Sequence, residues 1–181
     1  MADQISIPDD PVYSRKVLEM LTVANEYCLF LEKAADYTRE ELYLFLQKIV
    51  PLIYLKAALL PDIETTDEDA TEHYVTEEQW EMMFNILRNK FEAGDQFHFI
   101  DHHERSHTDA VAGSLAENFT DIYQDLKDFV LLYQKPLKSF KENAVRDCRR
   151  LFETRFGFRL VTAHAALHFL LFSVEKEDDI F

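Results

Sequence analysis

Apolar residues recur at intervals of three and four along most of this chain, which is the spacing of one helical face. Val17, Leu21, Ala24, Cys28, Leu31 and Ala35 form one such stripe and predict a first helix over 12–36. Leu18, Val23, Leu29 and Phe30 fall outside that stripe, so this helix is expected to be covered on most sides. Thr38 and Glu41 make a capping box that opens a second helix over 39–60. It is apolar nearly all round, with a kink expected at Pro51 and a stop at Pro61. Thr76 and Gln79 repeat the capping box for a third helix, striped by Trp80, Phe84, Leu87 and Phe91 and ended by Gly94. A fourth helix is predicted over 109–134 and a fifth over 137–156, with Gly157 as a turn or bend. A sixth, over 158–172, is apolar on every side and so reads as buried. The acidic stretch 61–75 and the histidine-rich stretch 95–108 read as loops.

The three glycines leave little turn chemistry for a sheet protein. The fold class expected is therefore all-α, an antiparallel helical bundle of about six helices with the first, second and sixth in its middle. At 181 residues the chain fits a single domain spanning 1–181, with residues 1–11 as a flexible N-terminus and 173–181 as an acidic tail. Leu42–Leu60 approaches the length of a membrane span, but Gln47, Lys48, Pro51 and Lys56 make it a core helix instead. Residues 1–11 hold no apolar targeting stretch, and Cys28 and Cys148 lie on apolar faces as small hydrophobes, so a reducing cytoplasm is expected.

Charge narrows the partners. Nineteen basic against thirty-four acidic residues leave a net charge of −15, which repels nucleic acid and anionic membranes at long range. The partner expected is a protein or a second copy of the chain. A basic cluster around the fifth helix, with Lys135, Lys138, Lys141, Arg146, Arg149, Arg150, Arg155 and Arg159, is expected to complement the acidic 61–78 stretch or form a solvated face, the alternative being a docking face for an acidic partner or RNA.

Candidate chemistry is sparse. The stretch FHFIDHHERSHTD holds His98, His102, His103 and His107, and pairs four apart would share a helical face. Only one E-x-x-H occurs there, whereas a carboxylate-bridged metal bundle needs two on facing helices. These histidines are weak metal candidates, and no metal or other cofactor is assigned. Glu117, Asp121 and Asp128 fall opposite the apolar arc of the fourth helix and read as a solvated face. More informative are charges in apolar phase: Glu32, Lys56, Asp125 and Arg155, with His168 on a helix almost without polar residues. Buried charges are costly unless paired, so these five are expected to meet, either as a structural network or around a small anionic ligand. There is no phosphate-cradling glycine loop, no G-x-S-x-G and no dinucleotide fingerprint, and no catalytic residue is assigned.

The segments LTVANEYCLFLE, FLQKIVPLIYLKAALLP, YVTEEQW, FTDIYQDLKDFVLLYQ and the FG…ALH ending resemble an uncharacterised bacterial all-helical family, a domain of unknown function, over roughly 13–170. The resemblance implies a cytoplasmic helical protein and supplies no activity. His168 matches the ALH ending, whereas His164 stands where the family leads one to expect an aliphatic residue. Two functions compete: a non-enzymatic helical interaction or accessory protein, or a binder of a small anionic ligand in a charged pocket of the bundle core.

Overall fold

The structure is a computed structural model that describes residues 10–101 and 109–172. It contains six α-helices: α1 (Arg15–Leu31), α2 (Arg39–Ala58), α3 (Glu77–Phe91), α4 (Leu115–Tyr133), α5 (Lys138–Leu151) and α6 (Gly157–Phe172). The protein is an all-α antiparallel bundle carrying one small hairpin, β1 (Gln96–Ile100) paired with β2 (Ala110–Ser114). Residues 1–9, 173–181, His102, His103 and His107 lie outside the described residues.

The local signals for α2 and α3 hold to the residue. Thr38 and Thr76 each accept a hydrogen bond from the third backbone N–H of their helix, and Glu41 and Gln79 return it, so both capping boxes are complete. α2 runs unbroken through Pro51.

Three expectations fail. The fourth helix does not begin at 109: residues 110–114 pair with 96–100, from Gln96 opposite Ser114 to Ile100 opposite Ala110. Phe97 and Phe99 alternate with exposed Gln96, His98 and Ile100, a period-two pattern that buries one strand face. The Phe97 ring lies over Gly113, where an added Cβ would come within 2.7 Å of it. Asp95 fastens the base of the hairpin to α4. Its carboxylate accepts from the Ser114 hydroxyl at 2.9 Å and the Ala116 N–H at 2.8 Å, and its carbonyl accepts from the Leu115 N–H. A carboxylate at this end also complements the helix dipole.

Second, Gly157 does not separate two helices. Phe152–Phe156 form a π-helical segment that joins α5 and α6 into one continuous rod. The Gly157 N–H donates to the Phe152 carbonyl, and a Cβ at Gly157 would sit 2.4 Å from that oxygen.

Third, the centre of the bundle is α4, which packs against α1, α3, α5 and α6 and is buried around most of its circumference. α6 buries only Gly157, Leu160, Ala163 and Leu167. α2 packs on α1 and α6 and leaves Leu44, Leu52, Tyr54, Leu55 and Leu59 exposed, and α1 exposes Leu18 and Leu29. Apolar residues all round a helix therefore do not mean burial all round in this fold. No helix of the described residues is long and apolar enough to cross a membrane.

Candidate functional site

The five charges expected to meet do not. Glu32, at the C-terminal end of α1, is exposed; its Oε1 accepts from the Tyr123 hydroxyl at 3.0 Å and pairs with Lys127 at 2.6 Å. Lys56 pairs with Glu19 of α1 at 2.7 Å. Only Asp125 and Arg155 come together. The Arg155 guanidinium donates Nε to one carboxylate oxygen at 2.9 Å and Nη2 to the other, a two-pronged bond from the π segment to α4. Burial pushes the Asp125 carboxyl above its ordinary value, and the guanidinium offsets only part of that. Burial acts to lower Arg155, but Asp125 outweighs it and raises the group. His168 stands apart on the outer side of α6, its ring 4.8 Å from Phe172.

The carboxylate face of α4 is a second correction. Asp121 is not solvated: it accepts from the Trp80 indole N–H at 2.8 Å and pairs with Arg159 at 2.8 Å. Asp128 accepts from the backbone N–H groups of Tyr74 and Val75, at 2.8 and 3.1 Å, and contacts the His73 ring. Only Glu117 keeps an open position, with Arg159 3.8 Å away. The fifth helix packs against the acidic stretch through neutral groups of that stretch, while the cations of α5 pair with Asp10, Glu142, Asp147 and Glu153; the basic cluster's ion pair to the stretch comes from Lys135, before α5. Arg146 donates to the Thr65 hydroxyl, Asn143 to the Asp67 carbonyl, and Lys135 pairs with Glu72. Buried Glu142 accepts from the Thr66 N–H and hydroxyl.

A cleft of about 160 Å³ lies where α4, α5 and residues 71–73 converge, with Asp125, Asp128, Asp147, Arg150 and Arg155 around it and Cys148 at its wall. Asp125, Asp128 and Arg155 are already engaged with protein groups. Burial holds the Cys148 thiol far above its ordinary value, so it is neutral and no nucleophile. His98 is exposed on β1, and among the described residues no group of three His, Cys, Asp or Glu side chains could hold a metal ion.

The outstanding surface is apolar. Val161, Phe169, Leu170 and Phe172 of α6 are exposed, Phe169 to 66% and Val161 to 52%. On one side of α6 a groove of about 550 Å³ runs along α2, lined by Val50, Pro51, Tyr54, His164 and His168. On the other side a second groove of about 550 Å³ runs along the hairpin, walled by Phe97, Phe99 and Phe158. The helix thus stands as a ridge between two apolar troughs. From Gly157 to Phe172 its only charged residue is Arg159, which is drawn toward α4. Sequence composition alone does not reveal this face, because an all-apolar helix reads as a buried one. The signal that marks it is a second seam, Phe158, Val161, Ala165, His168 and Phe172, spaced three and four beside the inward set Leu160, Ala163 and Leu167.

Fold and surface together define a helical bundle with an exposed apolar face and an internally paired polar network. The chain belongs to the family described as Domain of unknown function (DUF5063), whose profile matches residues 11–173. It is similar in structure to protein BF1032 from Bacteroides fragilis, known from a crystal structure. The TM-score is 0.82 and the identity 31%, over 92% of this chain and 99% of that one. No curated protein matches the chain.

Proposed function

We infer that this protein is a non-enzymatic, cytoplasmic helical accessory protein whose working surface is the outer face of α6 with its two flanking grooves. The observation that carries this reading is the ridge itself: large aromatic and aliphatic side chains stand in solvent on a helix with no carboxylate, in a chain of net charge −15. Contiguous apolar patches beyond a few hundred Å² are uncommon on monomers and mark contact surfaces. The occupant this face fits is an apolar helical surface of a protein, since grooves beside a ridge accept the ridges of another helix. Nucleic acid and anionic lipid are disfavoured by the charge. The charged-pocket alternative is weaker, because Glu32, Lys56 and Arg155 each hold a separate protein partner.

The test is binding of a labelled amphipathic peptide helix, leucine-faced and otherwise neutral, followed by fluorescence anisotropy at low protein concentration. Phe169→Glu is expected to abolish binding, and Met82→Glu, which alters an exposed apolar residue on α3, to leave it intact. Equal binding by wild type and Phe169→Glu would sink the reading.

A further inference from the structure

We propose that the surface covering α6 is a second copy of this chain, with the two α6 helices packed antiparallel about a two-fold axis at Ala165. This rests on the reading of the α6 face as a docking surface and names its occupant.

Four observations point to self-association. The first is symmetry on the outer face of α6. Counting outward from Ala165, exposed Val161 and Phe169 lie four residues away on either side, and seven away lie exposed Phe172 and half-buried Phe158, whose ring already packs edge-on against Phe99. An antiparallel pair centred there sets Val161 against the partner's Phe169 and Phe158 against the partner's Phe172, so each contact occurs twice, as a two-fold interface requires. The second is size. Ala165, the smallest side chain of the seam, stands at the crossing point, where backbones approach most closely, and the bulky rings stand at the ends, where the helices diverge. The third is area. Tyr54, Ile100, Val161, Phe169, Leu170 and Phe172, on α6 and the walls of its two grooves, expose on the order of 600 Å² together, the lower end of what each partner contributes to a standard interface. The fourth is charge. Two chains of net charge −15 repel one another, and they can approach most readily through a face without carboxylates; the outer face of α6 is one. A strongly basic partner would gain nothing from this neutral face and would be drawn to the acidic surface instead.

The experiment uses the full chain. Light scattering after gel filtration at micromolar concentration is expected to give twice the 21.4 kDa chain mass. Phe169→Glu is expected to halve that mass with the helical dichroism unchanged. Orientation is read by oxidation of single-cysteine additions. Ala165→Cys is expected to form an intermolecular disulfide in nearly all chains. Phe172→Cys is not, because in the antiparallel pair the two copies of position 172 stand about 20 Å apart at 1.5 Å per residue. Native Cys28 and Cys148 are buried and silent in this assay. A monomeric wild type overturns the proposal, as does a dimer whose mass is unmoved by Phe169→Glu. Crosslinking through Phe172→Cys but not Ala165→Cys overturns the antiparallel arrangement. A monomer that still binds the peptide helix, and loses it with Phe169→Glu, leaves the docking surface standing and removes only the second copy; a monomer that binds neither removes both.

Discussion

Asp125 on α4 and Arg155 in the π segment share a two-pronged ion pair in which the carboxylate is buried and the guanidinium is partly open to solvent. The pairing has an asymmetric consequence. Removing the cation strands a buried carboxylate, whereas removing both charges strands nothing.

Arg155→Met is therefore expected to lower stability by about 1–3 kcal/mol at neutral pH, discounted for the exposure of the guanidinium. Asp125→Leu combined with Arg155→Met is expected to recover most of that loss. The sign of the pH dependence follows from the carboxyl, whose folded value already lies above its ordinary one. A raised acid favours the folded state below its unfolded pKa, and that preference disappears as pH rises through the folded value. The deficit of Arg155→Met should thus be small in acid and full at neutrality. Urea unfolding at the two pH values measures it; a deficit that is larger in acid would be the wrong sign.

Glu142 gives the opposite slope. Burial acts to raise its pKa, but the Thr66 hydroxyl and N–H and the Lys138 ammonium outweigh this and hold it below the ordinary value. Its contribution is present above the unfolded pKa and is lost as pH falls through the folded one. Glu142→Gln is expected to cost roughly 1–2 kcal/mol at pH 7, and to flatten the acid limb of the stability curve seen in thermal melts across pH.

Asp128 ties residues 73–75 to α4 by accepting two backbone N–H groups on one oxygen. Asp128→Ala is expected to cost about 1–3 kcal/mol through the donors left unpaired. Amide exchange at Tyr74 and Val75 should accelerate, while the α4 amides nearby stay protected. Unchanged exchange at those two positions would contradict the assignment.

Two backbone positions call for glycine in opposite ways. Gly157→Ala forces a Cβ against the Phe152 carbonyl, so the π segment must shift and Arg155 with it; a loss of about 2 kcal/mol or more is expected. Glu92 closes α3 with a φ of 49°, a conformation that suits glycine. Its ion pair with Arg39 is a surface one. Glu92→Gly is expected to be neutral or to stabilise by up to about 1 kcal/mol, read as a small rise in Tm.

The helices were legible in the chain because their signals are short-ranged. The capping boxes of Thr38 with Glu41 and Thr76 with Gln79 involve residues three apart, and the same is true of the apolar spacing that defines α1, α3 and α4. The hairpin carried its own local sign in the alternation of Phe97 and Phe99, which the neighbouring histidines obscured.

Partners were another matter. Helical phase marks Asp125 and Arg155 as inward charges, but thirty residues separate them in the chain, and Glu32 lies ninety-one from Tyr123. Phase alone equally allowed Glu32 and Lys56 to join them, and the packing sent these to Lys127 and Glu19 instead. The same limit explains α6. Its composition declares that it has no polar face, and only the placement of α2, α4 and the hairpin around it decides which apolar side is buried and which is left exposed. Local spacing determines what a segment becomes; the free energy of burial, summed over neighbours far apart in the chain, determines what it touches.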